Sequence, residues 1–385
     1  MQYRQLNGID WKASALGFGC MRLPVRNNNP AEIIEDKAIH MIRYAIDNGV
    51  NYCDTAYVYH GGMSEVVLGK ALKDGYRAKV KIADKLPLWG VEDIAGVEKI
   101  FEEHFERLKT DHIDFYLLHA LSRPQWETVK KLNLIEWGER KKKEGRISYF
   151  GFSFHDKADV FREIVDAHTW DFCMIQHNYI DTDFQAGSAG LIYAHEKGTA
   201  VNIMEPLRGG DLVRNIPLQI EEIWNYSGNE QTYAQRALSW LWNKSQVGTV
   251  LSGMQNIEEV MLNIEYASEA EIGILTEKEL GVFDEIRQKY KLLKPIGCTN
   301  CTYCVPCPRS VNIPLLLYYY NEWNLFHNKG KSKFMLSMIP EDKRSHNCNG
   351  CGECMQKCPQ QLHIPDLMKE ITALYKYLKI EGQPR

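Results

Sequence analysis

The chain has 385 residues, with 46 Lys and Arg against 50 Asp and Glu and a formal net charge of −4. That balance leaves no electrostatic footprint for nucleic acid or an anionic membrane surface. No apolar run reaches the ~20 residues of a membrane span, MQYRQLNGIDW is no signal peptide, and the length fits one domain of about 250–300 residues plus a small one.

Short apolar runs then alternate with amphipathic helical ones. The strand candidates are SALGFG (14–19), NYCD (51–54), VKIADK (80–85), IDFYLLH (113–119), ISYFGFS (147–153), FCMIQ (172–176), AVNIME (200–205) and TVLSG (249–253). Residues 35–49 read as a helix, with Ile39, Ile42, Ala45 and Ile46 on one face and Asn48-Gly49 as its stop. Val97, Ile100, Phe101, Phe105 and Leu108 repeat the helical spacing as a core stripe. Lys141-Lys142-Lys143 reads as a solvated helix C-terminus, where cations oppose the negative dipole end. Strand–helix alternation of this kind predicts an α/β fold, a (β/α)8 TIM barrel over residues 1–290.

In such a barrel the active site lies where the strands end. Here the second strand ends in Asp54, the third in Lys85 and the fourth in His119. Ser153, Gln176, Glu205 and Ser252-Gly253 end the remaining four. One charged residue at a strand end usually opens a solvated loop. Alone, Lys85 reads as a surface lysine, His119 as a satisfied core histidine, and Tyr59 as one of twenty tyrosines. A converging Asp, Lys and His set points instead to chemistry.

Eight of the eleven cysteines form two tight runs, CTNCTYCVPCP and CNGCGECMQKCP. Four thiolates so close, with a proline after the last, match the pattern that holds [4Fe–4S] clusters in bacterial-type ferredoxins. A zinc site usually takes two CxxC pairs across a longer loop, and a disulfide framework suits a short secreted chain. The runs repeat. Cys298, Cys301 and Cys304 recur 50 residues later as Cys348, Cys351 and Cys354, and Cys307 recurs 51 later as Cys358. Each fourth cysteine leads to an Ile-Pro (313–314 and 364–365) that opens an apolar helical stretch. Residues 291–385 therefore read as a small, mainly helical ferredoxin-like domain carrying two [4Fe–4S] clusters. By analogy with two-cluster ferredoxins, the fourth cysteine of each run serves the other cluster. One set is then Cys298, Cys301, Cys304 and Cys358; the other is Cys348, Cys351, Cys354 and Cys307. The CVPC step is one residue shorter than the bacterial pattern, and Cys20, Cys53 and Cys173 are not expected as ligands. Thiolate clusters and the lack of a leader predict a reducing cytoplasm.

The segment DTAYVYHGGMSE resembles the aldo-keto reductase signature, in which an Asp is followed five residues later by a Tyr, here Asp54 and Tyr59. LGFGCMRLP, KIADK, YLLHAL, GFSFH, QHNY and SGMQNIEEVMLN look like the family's other markers in the family's order, over about residues 1–270. The tail is similar to that of a subgroup with a C-terminal ferredoxin-like domain. The resemblance implies an oxidoreductase that moves a hydride between NADH or NADPH and a small-molecule carbonyl or alcohol. It implies a catalytic tetrad of Asp54, Tyr59, Lys85 and His119. Tyr59 would give the proton, and Lys85 would lower the phenol from its ordinary value of about 10. Asp54 would hold Lys85, and His119 would orient the carbonyl. It further implies Ser153 and Gln176 on the nicotinamide carboxamide, and Gly253 and Asn263 on the adenosine half. Gly17, Phe18, Gly19 and the Leu207-Arg208-Gly209-Gly210 loop would lie nearby. The chain departs from the family pattern with Phe154 after Ser153, Met204 where an aromatic often stacks, and Glu259 where an Arg often meets the 2′-phosphate of NADPH. NADH is therefore expected to serve at least as well as NADPH, unless Arg208 or Arg214 supplies the cation.

Nicotinamide gives up two electrons at once and a [4Fe–4S] cluster takes one, yet no flavin-binding signature bridges them. Three readings follow: an enzyme whose clusters exchange electrons with a partner protein or substrate, clusters that only fold the tail, and a nucleotide-binding redox sensor, against which the intact tetrad argues.

Overall fold

A computed structural model describes residues 1–27, 29–228 and 230–380. The chain divides into two compact units: Met1–Gly209 with Gln231–Leu280, and Gly210–Glu230 with the segment from Gly281 onward. The first opens with a two-stranded antiparallel hairpin, β1 (Tyr3–Gln5) and β2 (Lys12–Ser14). Strands of three residues are too short for hydrophobic alternation to announce them.

Eight parallel strands then close a barrel: β3 (Leu16–Gly19), β4 (Tyr52–Asp54), β5 (Lys81–Leu86), β6 (Ile113–Leu121), β7 (Ile147–Phe154), β8 (Phe172–Gln176), β9 (Ala200–Met204) and β10 (Val247–Gly253), with β10 pairing both β9 and β3. All eight expected strands form, each within two residues of its expected bounds. Parallel strands buried on both faces read as near-continuous apolar runs, which is why the sequence disclosed them. One face fills the barrel interior with Tyr52, Ala83, Phe115, Phe172 and Met174, and Leu6, Ile9 and Ala13 pack against these. Burial of each large apolar side chain contributes about 1.5–3 kcal/mol. Strand β9 stops at Met204, one residue short of expectation, because Glu205 turns to φ 54° and leaves the ladder.

Three helices position the site. Helix α1 (Glu35–Asp47) ends where Gly49 adopts φ 96°, as the Asn-Gly stop predicts. Helix α2 (Met63–Ala71) packs tightly on α3 (Ile94–Leu108): a Cβ on Gly69 would sit 2.5 Å from the Leu108 carbonyl oxygen. Asp93 caps α3, its carboxylate accepting the Gly96 N–H at 2.9 Å. The lysine run ends the helix Leu134–Lys143, but Lys141 is buried rather than solvated. Its ammonium lies 3.0 Å from Glu98 and 5.2 and 5.9 Å from the Phe101 and Trp137 ring centres, so an ion pair and two aromatic faces draw it inward.

In the second unit the two expected tail helices span Ile313–Phe326 and Ile364–Tyr377, each with proline in its first turn. Ile313, Leu316, Leu317, Ile364, Met368 and Ile371 form a shared core, and Cys298, Cys304, Cys307, Cys348, Cys354 and Cys358 pack against it. Asn321 brackets the approach to the first run, accepting from Ile296 N and donating to Ile296 O at 3.0 and 2.9 Å. Asp211 accepts from Lys331 and Asn328 at 2.5 and 2.7 Å, which ties the segment after β9 into this unit. No described helix is long and apolar enough to cross a membrane.

Candidate active site and cysteine-lined cavities

Residue Lys85 lies near the end of β5 with its side chain inside the barrel and 1% exposed. Its ammonium donates to Asp54 Oδ1 at 2.7 Å and to the Thr55 carbonyl at 2.6 Å. Burial pulls Lys85 down, but Asp54, Tyr59 and Asp84 together outweigh it and hold the ammonium above its ordinary value. Burial pushes Asp54 up while Lys85 draws it back. Among the described residues Asp54 Oδ2 meets no hydrogen-bond donor.

The side chain of Tyr59 stands in the one-turn helix Tyr59–Gly62, which kinks at His60 (φ 53°) and Gly61 (φ 64°). His60 fixes this turn: its Nε2 accepts from Leu23 N at 3.2 Å, so Nδ1 donates to the Pro30 carbonyl at 2.6 Å. Lys85 Nζ sits 4.9 Å from the Tyr59 ring centre, and the His119 ring stands edge-on to it at 6.0 Å. Asp54, Tyr59, Lys85 and His119 thus converge from three strand ends and one turn. The electrostatics differ from expectation in one respect. Burial raises the Tyr59 phenol, and the opposing pull of Lys85 does not reverse it. Burial and the Lys85 cation hold His119 far below its ordinary value, so its imidazole is neutral. Trp89, which sequence reasoning did not single out, lies 5.1 Å from the His119 ring and is 47% exposed. Its only signal was an aromatic in the loop after β5.

The expected nucleotide contacts divide. Ser153, Gln176, Gly19, Gly253 and Asn263 come to the C-terminal strand ends, and Asn263 donates to Ser252 Oγ at 3.1 Å. Ser153 Oγ accepts the Ala120 N–H at 2.7 Å. Gln176, Asn178 and Arg208 all donate to Asp181 Oδ2, at 3.1, 3.0 and 2.7 Å. That buried carboxylate, missed in the sequence, therefore orients Gln176 and holds Arg208, while Leu207 beside it is half-buried. Gly17 and Phe18 serve barrel packing: Phe18 is fully buried, and a Cβ on Gly17 would meet Leu251 at 2.6 Å. Glu259 sits in the first turn after the Asn256 cap, its carboxylate accepting from Gln255 N at 2.8 Å while its own N–H goes to Asn256 Oδ1 at 2.9 Å. Arg22, also unforeseen, lies along Gly253, where a Cβ would come within 3.1 Å of its stem. Buried amide and hydroxyl groups at these strand ends suit a carboxamide and a ribose.

Behind the barrel wall, Glu65, Asp84 and His104 form a fully buried cluster. His104 shares the buried face of α3 with the apolar stripe, and a histidine on such a face was the signal available.

The cysteine runs line two cavities. One is bounded by Cys298, Cys301, Cys304 and Cys358, the other by Cys307, Cys348, Cys351 and Cys354 with Cys304 at its edge. All eleven cysteines are free. Burial, then neighbouring Cys298 and Cys301, push Cys304 up to about 11. Each cavity gathers four cysteine sulfurs, a donor set that fits an iron–sulfur cluster.

A family model described as "Aldo/keto reductase family" matches residues 15–287. The chain belongs to the aldo/keto reductase family. A model described as "4Fe-4S dicluster domain" matches residues 297–364 of this oxidoreductase. Probable aldo-keto reductase 1 of Glycine max is 29% identical, aligned over 66% of this reductase and 81% of its own length. L-galactose dehydrogenase of Arabidopsis thaliana is 26% identical over 76% and 96%. The holo form of aldo-keto reductase AKR11C1 from Bacillus halodurans is 28% identical with a TM-score of 0.62, covering 74% of this reductase and 96% of that chain. An aldo-keto reductase from Klebsiella pneumoniae in complex with NADPH, 24% identical with a TM-score of 0.59 over 74% and 96%, shares the fold.

Proposed function

We propose that the barrel reduces a small-molecule carbonyl, or oxidises the corresponding alcohol, with Tyr59 as proton donor. The observation that carries this reading is the buried Lys85–Asp54 pair set against the Tyr59 ring, with neutral His119 opposite. A nicotinamide nucleotide, when bound by Ser153, Gln176 and Asn263, supplies the hydride. Tyr59 O–H passes its proton to the carbonyl oxygen as carbon gains the hydride, and Lys85 stabilises the phenolate left behind. Asp54 keeps Lys85 charged and aimed. His119, being neutral, can donate one N–H to the same oxygen and orient it. Such positioned acid catalysis contributes about 10²–10⁴ in rate. Tyr59→Phe should therefore abolish carbonyl reduction while the nucleotide dissociation constant stays near wild type. Full activity in that variant overturns the assignment.

The nucleotide is proposed to be NADH at least as readily as NADPH. The Glu259 carboxylate sits at the start of the helix Ile257–Ser268, where it disfavours a 2′-phosphate, and Arg208 is engaged by Asp181. The NADPH named for the Klebsiella protein belongs to that protein. NADPH binding ten times tighter, about 1.4 kcal/mol, overturns the preference and turns attention to Arg22.

The tail is proposed to hold two [4Fe–4S] clusters in the crossed sets, Cys298, Cys301, Cys304 and Cys358 against Cys348, Cys351, Cys354 and Cys307. Bound there, they supply single-electron chemistry toward a partner protein or substrate, and exposed Cys351 brings one site to the surface. A second reading, clusters that only fold the tail, draws support from the six cysteines packed into the tail core. Anaerobic addition of NADH or NADPH decides between them: bleaching of the cluster absorbance supports electron exchange, and its absence supports the structural role. Such thiolate sites suit a reducing compartment, proposed to be the cytoplasm.

A further inference from the structure

On β5, Lys85 points into the barrel and Asp84 points out, into the seam beneath α2 and α3. Asp84 Oδ1 accepts the backbone N–H of Lys85 at 2.8 Å. His104 Nδ1 lies 3.0 Å from Asp84 Oδ2 and 2.6 Å from Glu65 Oε1. The other oxygen of Glu65 accepts from Arg107 at 2.8 Å, and the same Arg107 nitrogen donates to the Tyr57 carbonyl at 3.1 Å. A continuous chain of hydrogen bonds and ion pairs therefore runs from the backbone of Lys85 to the loop two residues before Tyr59. Glu65, Asp84 and His104 are all fully buried.

We propose that His104 is a positioning residue for the reaction above: with Glu65 and Asp84 it forms a proton-holding brace that sets Lys85 against Tyr59. The inference rests on the tetrad reading just given. His104 Nδ1 hydrogen-bonds Glu65 at 2.6 Å, Asp84 Oδ2 stands 3.0 Å from the same nitrogen as a charge partner, and Arg107 already supplies a second cation, so the cluster is an ion-pair brace rather than a metal site. Both carboxylates face the same nitrogen, Nδ1, while Nε2 meets no hydrogen-bond partner among the described residues; two negative charges beside one ring favour its charged form. Every neighbouring element supplies a group to it: Glu65 from α2, Asp84 from β5, Arg107 from α3 itself, the Tyr116 ring from β6 at 5.5 Å, and the Tyr57 ring at 5.6 Å. Burial opposes the imidazolium, but Asp84 and Glu65 outweigh it and raise His104 to about 9. When the proton leaves, the carboxylates repel, and the strand bearing Lys85 can shift from the loop bearing Tyr59. A displacement of about 1 Å at a reacting centre can cost ~10²-fold in rate.

The test uses the intact protein, with nucleotide and an activated aldehyde, 4-nitrobenzaldehyde, as probe. His104→Gln should lower kcat roughly 10- to 100-fold with the nucleotide dissociation constant unchanged, and should remove an alkaline limb that the wild type shows near pH 9. Adding Glu65→Gln removes the excess negative charge and should restore most of that loss, which lost packing alone would not do. Wild-type kcat and pH profile in His104→Gln overturn the brace. Tyr59→Phe is assayed beside it: an active Tyr59→Phe overturns the tetrad and the brace together, whereas an inactive one with an unaffected His104→Gln overturns the brace alone. Should His104→Gln not fold, 15N NMR of the wild type decides. One of the twelve histidines should keep imidazolium shifts, with a hydrogen-bonded downfield Nδ1–H, up to about pH 9; if every histidine titrates near its ordinary value, the proposal falls.

Discussion

Residue Lys85 is a full positive charge inside a barrel, tolerated because a carboxylate stands 2.7 Å away and a carbonyl 2.6 Å away. Replacing it by an isosteric apolar group strands Asp54 in a buried site. Lys85→Met should therefore destabilise the barrel by about 3–5 kcal/mol in urea unfolding, and Lys85→Met with Asp54→Asn should recover part of that loss. The phenol of Tyr59 is held above its ordinary value by burial, so it remains protonated through the neutral and mildly alkaline range. A proton donor needs that form, and the rate loss from Tyr59 ionisation should appear only above pH 10, separate from any limb near pH 9. The convergence of Asp54, Tyr59, Lys85 and His119 was legible in the sequence because each closes an apolar run or follows one at fixed spacing. The sign of Tyr59's shift was not, because burial depends on neighbours that are remote along the chain.

At the scale of elements, close approach is bought with glycine. Gly151 in β7 has no room for a side chain, since a Cβ would lie 2.2 Å from the Phe172 carbonyl oxygen of β8. Gly151→Ala should force these strands apart and cost about 1–3 kcal/mol, read as a lower melting temperature. The seam between β5, α2 and α3 carries the pH dependence. His104 is raised from 6.5 to about 9, so its contribution to stability is complete below 6.5 and lost as pH rises through about 9. Glu65 is raised to about 7, chiefly by burial, and acts in the same direction between 4.5 and about 7. Asp84 is lowered by its partners despite burial, so its contribution is lost only on acidification. Denaturation midpoints should fall from pH 7 to pH 10 in the wild type and change less in His104→Gln. The sequence showed α3 as an amphipathic helix but not this cluster, because its three members are separated by 19 and 20 residues and meet only when α2 and α3 dock on β5.

For the whole molecule, the tail is where ligand and fold are expected to be one event. Anaerobically purified protein should contain about eight irons and eight sulfides. Cys298→Ser and Cys358→Ser should remove the same electron paramagnetic resonance signal and about four irons, while Cys307→Ser removes the other. Loss of the same signal from Cys298→Ser and Cys307→Ser would refute the crossed sets. Chelation of iron should melt the helices Ile313–Phe326 and Ile364–Tyr377 while the barrel keeps its nucleotide affinity.

Sequence alone determined the order of elements, the barrel, the two proline-started tail helices and the two cysteine runs that line the tail cavities. These follow from patterns that are local in the chain: apolar runs, helical stripes, turn residues and cysteine spacing. Tertiary structure decided what depends on closure. It brought Asp54 to Lys85 across 31 residues and seated Cys358 with a run 54 residues earlier. It turned the Glu259 carboxylate onto the Gln255 N–H and Arg208 toward Asp181. It also joined Glu65, Asp84 and His104 in a fully buried seam. The charge state and orientation of a buried group are set by what packs around it, and that packing exists only once the barrel has closed.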